Sequence, residues 1–276
     1  MTKAFRDRYL ASGEEFTLAD IDPADTPGMA KEEKAVAAVA GLGPGLLELQ
    51  TRLYAERKRS LLVVLQGMDA CGKDGLVKHV VSLLNPSGLR VTAFKAPNDI
   101  EKKHHFLWRF RPLLPTPGGI SVFNRSHYED VGIVKVHKWV TDEVIERRYR
   151  DINKFEQEAT DDGVAVVKLF LHVSFDEQRQ RMLDRLADPT KRWKFKESDL
   201  DERAKWDEYM AAYDAAIRRT STDAAPWFVI PADNKWYRDW AVGNLLCERL
   251  TAMDPQYPLM ADLDLPALRR RLKGTG

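Results

Sequence analysis

The chain has 276 residues, 31% charged and 44% hydrophobic, with 43 Lys and Arg against 42 Asp and Glu for a net charge of +1. That length supports one large α/β domain, or two small ones, and the charge balance excludes a global electrostatic pull toward nucleic acid or a membrane surface. The only two cysteines, Cys71 and Cys247, are too far apart for a disulfide framework or a metal-ligand spacing. With no apolar run of membrane-spanning length and no apolar stretch at the N-terminus, the expected location is a reducing cytoplasm.

The opening stretch to about Pro27 is polar and irregular and is expected to be an arm lying on the surface or on a partner. From Lys31 to Arg59, apolar spacing predicts a helix interrupted near the GLGPG stretch, Gly41 to Gly45. Leu61–Gln66 reads as a buried parallel strand, followed by a loop and a helix carrying Leu76, Val77, Val80, Val81 and Leu84. A strand over Arg90–Ala96, a helix over Asp99–Arg111 and a strand over Gly119–Phe123 continue the alternation. A long helix follows over Thr141–Asp162, capped by Thr141, and Val164–Val173 is the most apolar strand. A helix from Ser174, a strand over Trp227–Ile230 and a helix over Trp236–Leu250 complete the pattern. Strands alternating with helices imply a parallel sheet covered on both faces. The stretch Arg185–Arg203 breaks this rhythm: it packs Lys191, Arg192, Lys194 and Lys196 together, and Ser198 with Asp201 resembles a capping box opening a helix to about Thr220. It is expected to be a basic lid.

Between the first parallel strand and its helix, Gly67, Gly72 and Lys73 fit G-x-x-x-x-G-K, but Asp74 stands where a Mg²⁺-ligating Ser or Thr normally follows. A strand, a glycine-rich turn and a helix start form a nest of backbone N–H groups aimed at phosphate, with Lys73 as point charge. Without the hydroxyl, a metal needs carboxylate or amide oxygens, and Asp69 is the leading candidate. Asp74 suits the helix dipole and reads as mostly structural. Beyond the next central strand, Asn124 occupies a Walker-B-like position, Arg125 offers a planar fork for phosphate, and Glu129 and Asp130 follow within reach of metal, ribose or base. In the predicted helix Asp99–Arg111, Arg109 and Arg111 are candidates for an anion channel, and adjacent His104 and His105 are a poor metal pair.

Together, the stretches GMDACGKDG, FNRSHYEDV, RWKFKESDLDER with WDEYMAAYDAAI, and APWFVIPADNKW resemble the polyphosphate kinase 2 family. The likeness runs from about Ile21 to Leu250, in order. It implies a thymidylate-kinase-like P-loop core with parallel sheet and helical lid, three layers α/β/α, with an N-terminal arm and helical extension over 1–58, a core over 59–276 and a lid near 185–205. It implies phosphoryl transfer between inorganic polyphosphate and nucleotides (AMP, ADP, ATP), with Mg²⁺ or Mn²⁺, in a homodimer or homotetramer. On this reading Asp69, Lys73 and Arg125 are catalytic, and Asp69, Asn124 and Glu129 hold the metal. Phosphate falls to Gly67, Ala70, Cys71, Gly72, Lys73 and Asp74 of the loop, with Arg109, Arg111, Arg125, Lys191, Arg192 and Lys194; the nucleotide falls to Asn124, Glu129, Asp130 and Val131. Many relatives carry Asp where Asn124 stands. Glu129 resembles the subgroup acting on both mono- and diphosphates. The rival readings are an ATP-dependent nucleoside monophosphate kinase on the same fold and a non-catalytic phosphate or nucleic-acid binder.

Overall fold

The most apolar segments meet at the centre of a six-stranded sheet. In the computed structural model, which describes residues 4–11, 16–260 and 263–274, β2 (Ser60–Gln66) and β5 (Val164–His172) pair in parallel, and every residue of both is buried. Strands with no polar face are what a sheet covered on both sides requires. The order is β1-β6-β5-β2-β4-β3, where β3 is Leu89–Ala93, β4 Ile120–Asn124 and β6 Trp227–Pro231; all these pairings are parallel. The chain leaves β2 toward β3 and β4 on one side and returns to β5 on the other. That reversal opens a crevice beyond the carboxyl ends of β2 and β4, where ligands of such sheets sit.

The exception to parallel pairing is β1 (Leu10–Ala11), which joins β6 antiparallel, with Leu10 opposite Phe228. The opening segment is therefore not merely laid on the surface: Tyr9 and Ala11 are core residues, and the Tyr9 hydroxyl meets that of Tyr237 at 2.7 Å. The expectation for residues 1–3 and 12–15 lies outside the described residues, as do 261–262 and 275–276 of the expected core.

α1 (Glu32–Glu56) runs without interruption through Pro44 and packs along α8 (Lys235–Met253). The expected break fails because Ala35, Val39, Leu46 and Leu53 form one buried stripe whose packing outweighs the lost hydrogen bond. α2 (Lys73–His79) also meets α8, while α4 (Asp142–Asp161) packs on β5 and on α7 (Trp206–Thr220). The expected Thr141 cap fails: its hydroxyl makes no capping bond to the α4 backbone.

Two helix expectations fail. Residues 99–111 form turns around short 3₁₀ pieces, Glu101–Lys103 and Arg111–Leu113. The turns win because they bury Leu107, Arg109 and Phe110 together, with the Arg109 guanidinium over the rings of Phe94 and Phe110. The helix expected from Ser198 to Thr220 is two, α6 (Ser198–Arg203) and α7, broken at Ala204 and Lys205. The break lets Glu202 and Lys205 grip opposite nitrogens of the His137 ring, which follows α3 (Ile133–Val136), while Arg203 turns toward α5 (Phe175–Ala187). No Ser198 side-chain cap forms. A final helix, α9 (Leu265–Lys273), was not anticipated.

Candidate active site

The loop after β2 is built from outside. Gln178 Nε2 on α5 donates to the Asp69 carbonyl at 3.0 Å, and Arg181 Nη1 donates to the carbonyls of Ala70 and Cys71 at 3.1 and 2.8 Å. Since a peptide's C=O and N–H point opposite ways, fixing these carbonyls also fixes the direction of the following N–H groups of Ala70, Cys71 and Gly72, of which that of Cys71 donates to the Met68 carbonyl at 3.1 Å. Arg181 is fixed in turn through Nη2 by the carbonyls of Ala232 and Asp233, so the loop is tied to the end of β6. On the other side, Arg238 of α8, itself paired with Asp239, lies against Gly72: a Cβ there would stand 1.8 Å from Nη1. With φ of 108° as well, position 72 accepts only glycine.

Lys73 folds back over this loop, its Nζ donating to the carbonyls of Gly67 and Met68 at 2.7 and 3.2 Å, with Cys71 Sγ at 3.4 Å. These are neutral partners, so the lysine charge is not spent on a carboxylate. Asp69 faces the crevice, and its Oδ1 accepts from Arg125 Nη2 at 2.6 Å. Burial pushes the Asp69 carboxyl up, but the charges of Lys73 and Arg125 outweigh it and hold the group below the usual range. Arg125 has φ 61°, and Ala70 beside Asp69 has φ 63°. These non-glycine residues in the left-handed region mark two strained turns, one after β2 and one after β4, of a kind concentrated at functional sites.

Asn124 closes β4, and its Nδ2 donates to Asp74 Oδ1 at 3.0 Å. The second Asp74 oxygen accepts from Lys194 Nζ of the lid at 2.8 Å. Asp74 is therefore more than a helix-dipole charge. It joins α2, β4 and the lid, and the Lys194 hydrogen bond chiefly holds its carboxyl low. Glu129 Oε1 accepts from Gln66 Nε2 at 3.0 Å and, with Asp69 and Arg125, lines a cavity closed by Tyr209, Tyr213 and Arg203.

The turn bearing Arg125 and Glu129 rests on a buried charged cluster. Lys168 Nζ lies 2.6 Å from Glu156 Oε2 and 2.8 Å from the Tyr128 hydroxyl, and His127 Nε2 lies 3.1 Å from Glu156 Oε1. All four side chains are fully buried, and isolated charges there would cost several kcal/mol. His127 and Tyr128 thus anchor the turn rather than reach the crevice.

The other predicted site residues divide. Val131 is a buried core side chain. Asp130 is mostly buried beside Arg148, 3.7 Å away, and burial raises its carboxyl to about 6. Arg109 spends Nη1 on the Lys95 carbonyl, 2.8 Å away, and Arg111 pairs with Glu158 near the end of α4, which leads into the amino end of β5 and so away from the loop. Within the lid, Lys191 pairs with Asp188 at 2.7 Å and Arg192 donates to the Leu186 carbonyl, both exposed, so only Lys194 touches the loop cluster. The sequence reading missed Gln178, Arg181 and Arg238, which lie outside the quoted motifs, and gave no role to Arg203, Tyr209 and Tyr213, which lie inside them; the one further signal was the 178/181 pair on one face of the helix after β5.

A parallel sheet with a glycine-rich loop after its central strand and a lysine opening the next helix defines a P-loop phosphotransferase fold. A family model described as Polyphosphate kinase 2 matches residues 29–258. The chain is 48% identical over 244 residues to an AMP/ADP-polyphosphate phosphotransferase of Meiothermus ruber, covering 88% of this chain and 91% of that one. It is 41% identical over 239 residues to an ADP-polyphosphate phosphotransferase of Rhodopseudomonas palustris, covering 82% and 81%. The crystal structure of Polyphosphate Kinase 2 from Arthrobacter aurescens TC1 superposes with a TM-score of 0.95 at 44% identity, over 99% of this chain and 98% of that one. The chain belongs to the polyphosphate kinase 2 family.

Proposed function

We propose that this protein is a polyphosphate-dependent nucleotide kinase, moving phosphoryl groups reversibly between inorganic polyphosphate and nucleoside mono- and diphosphates. The observation that carries the reading is the gathering of three cations at the phosphate loop, Lys73 on the loop carbonyls, Arg125 on the Asp69 carboxylate and Lys194 on that of Asp74, in a chain whose relatives are named for this chemistry.

A phosphate acceptor is already ionised, so the protein's work is positioning and charge neutralisation. Lys73 leaves its loop carbonyls for the arriving phosphate, and Arg125 grips the transferring group with its fork. Among the described residues no three His, Cys, Asp or Glu side chains group into a metal cage. That fits Mg²⁺, which takes one or two protein carboxylates and fills its octahedron with water and phosphate. Asp69 would be the first ligand, assisted by Asp74 where Asn124 offers only an amide, and an ion held there would supply charge neutralisation for the transferring phosphoryl. Glu129, fixed by Gln66, orients the monophosphate acceptor, so Glu129→Asn depresses AMP phosphorylation more than ADP phosphorylation in parallel assays. Among the described residues no helix is long and apolar enough to cross a membrane, in keeping with a cytoplasmic place. The assembly is a homodimer or homotetramer, as the family resemblance implies.

The test is AMP with Mg²⁺ and polyphosphate, then ATP as sole donor. Turnover with polyphosphate alone supports the reading; turnover only with ATP replaces it by a nucleoside monophosphate kinase, and binding without turnover by a phosphate binder.

A further inference from the structure

Gln178 is almost wholly buried, yet both ends of its amide are used. Nε2 donates to the Asp69 carbonyl at 3.0 Å, and Oε1 accepts from Arg203 Nη1 at 2.6 Å. The partners fix the amide's orientation, because a carbonyl only accepts and a guanidinium only donates. Arg203 ends α6, the helix that closes the lid. The same Nη1 also donates to the Phe175 carbonyl at 2.8 Å, and its guanidinium lies 3.4 Å above the centre of the Phe175 ring. Arg203 therefore spends itself on neutral groups of α5, and α6 is docked on the helix that shapes the phosphate loop.

We infer that Gln178 and Arg203 form a positioning relay, through which the seating of the lid sets the backbone of Asp69. This rests on the polyphosphate-kinase reading above. The path has three links: lid helix to Arg203, Arg203 to Gln178, and Gln178 to the peptide carrying Asp69. That peptide precedes Ala70, which sits in the left-handed region, and a strained turn holds its shape only while its surroundings enforce it. When the lid is seated, the Asp69 carbonyl is held by Gln178 and its carboxylate stays toward Arg125. When α6 lifts, the Gln178 amide loses its second partner and is free to turn. Gln178 is buried and acts through the Asp69 peptide, while Arg203 also borders the cavity, so the Gln178 variants are the ones that isolate positioning. A shift of ~1 Å in a positioned group is enough to cost about 100-fold in rate.

Because the two ends of Gln178 do different things, substitutions separate them. Gln178→Glu keeps an acceptor for Arg203 but faces the Asp69 carbonyl with an oxygen. Gln178→Leu removes both ends. Arg203→Lys retains a donor, and Arg203→Met does not. Turnover of the full-length chain is measured with AMP, Mg²⁺ and polyphosphate, and lid seating is read separately as the rate of tryptic cleavage within 191–205 in the free enzyme, which needs no activity.

The expected result is a kcat about 10–100-fold lower in Gln178→Glu, with both KM values within about twofold and lid cleavage as in wild type. Gln178→Leu and Arg203→Met lose kcat similarly and also cleave several-fold faster in the lid. Their double variant is no worse than either alone, and Arg203→Lys recovers most of the rate. Wild-type kcat in Gln178→Glu, or additive losses in the double variant, overturns the relay. Absent polyphosphate turnover in wild type would overturn the parent reading instead; unchanged lid cleavage in Gln178→Leu and Arg203→Met would then overturn the relay on its own.

Discussion

The phosphate loop and the lid contribute to the same crevice by opposite means. The loop's carbonyls are held by Gln178 and Arg181, and Arg238 presses on Gly72; all three side chains are buried. The lid segment 188–197 is exposed along most of its length, and it meets the loop cluster through one ion pair, Lys194 to Asp74. An exposed pair of this kind contributes at most about 1 kcal/mol and trades partners readily. The contrast teaches that the floor of the site is preorganised while its roof is exchangeable.

Breaking the floor should have the largest effects. Lys73→Ala and Asp69→Asn are each expected to lower kcat by about 100- to 1,000-fold with the fold intact by circular dichroism, the size of losing one charge-stabilising group. Near-normal turnover in Asp69→Asn would move the metal to Asp74 or Glu129. Gly72→Ala combines a φ of 108° with a clash against Arg238 and is expected to cost about 2–4 kcal/mol in thermal or denaturant unfolding, along with activity.

The roof should respond to salt. Neutralising Lys191 and Lys194 together is expected to raise the polyphosphate KM by roughly fivefold at low ionic strength and less at high, where the wild-type attraction is already screened. The nucleotide KM should move less, because base and sugar help anchor it. Equal KM values in wild type and variant at low salt would show that the lid cations do not touch the chain of phosphates.

An effect on stability rather than on the site's chemistry is expected at Asp130, mostly buried behind the turn against Arg148 of α4. Its carboxyl is raised from 3.8 to about 6 by burial, so the folded state binds its proton more tightly than the unfolded state does. Stability from that proton is present below the ordinary carboxylate range and is lost as pH rises through about 6. Asp130→Asn should therefore stabilise the protein by about 1–2 kcal/mol at pH 8, part of the gain being offset by the lost Arg148 pair, with no gain below pH 4. A constant difference across that range would place the effect in packing.

The parts of this molecule that could be read from sequence are local in the chain. The run Leu61–Gln66, the glycines and Lys73 are contiguous, so strand, loop and helix start follow from one stretch. The clamps could not be read this way, because Gln178 and Arg238 come from more than a hundred residues further on and carry no spacing relative to the loop. Asp74 misled for the same reason, since its partners Asn124 and Lys194 lie 50 and 120 residues away. Residues 99–111 misled differently: their apolar spacing suits a helix, but Arg109 finds its partners by turning inward onto Phe94 and the Lys95 carbonyl. His127 and Tyr128 sit in a motif that suggests chemistry, yet they are the motif's foundation.

The two-residue strand β1 carries a consequence for solubility. β6 would otherwise end the sheet with an unpaired row of backbone donors and acceptors, flanked by Trp227, Phe228, Val229 and Ile230. Such a bare apolar edge is a template for strand pairing between copies, and proteins that leave one open tend to aggregate. Leu10 and Ala11 occupy it, and the Val229 N–H is taken by the Tyr9 carbonyl at 2.8 Å. This short segment, which contributes nothing to the phosphate loop, is thus the sheet's guard against its own kind. A chain trimmed through Ala11 would keep every residue of the phosphate loop and still be prone to leave solution, with β6 as its point of self-association.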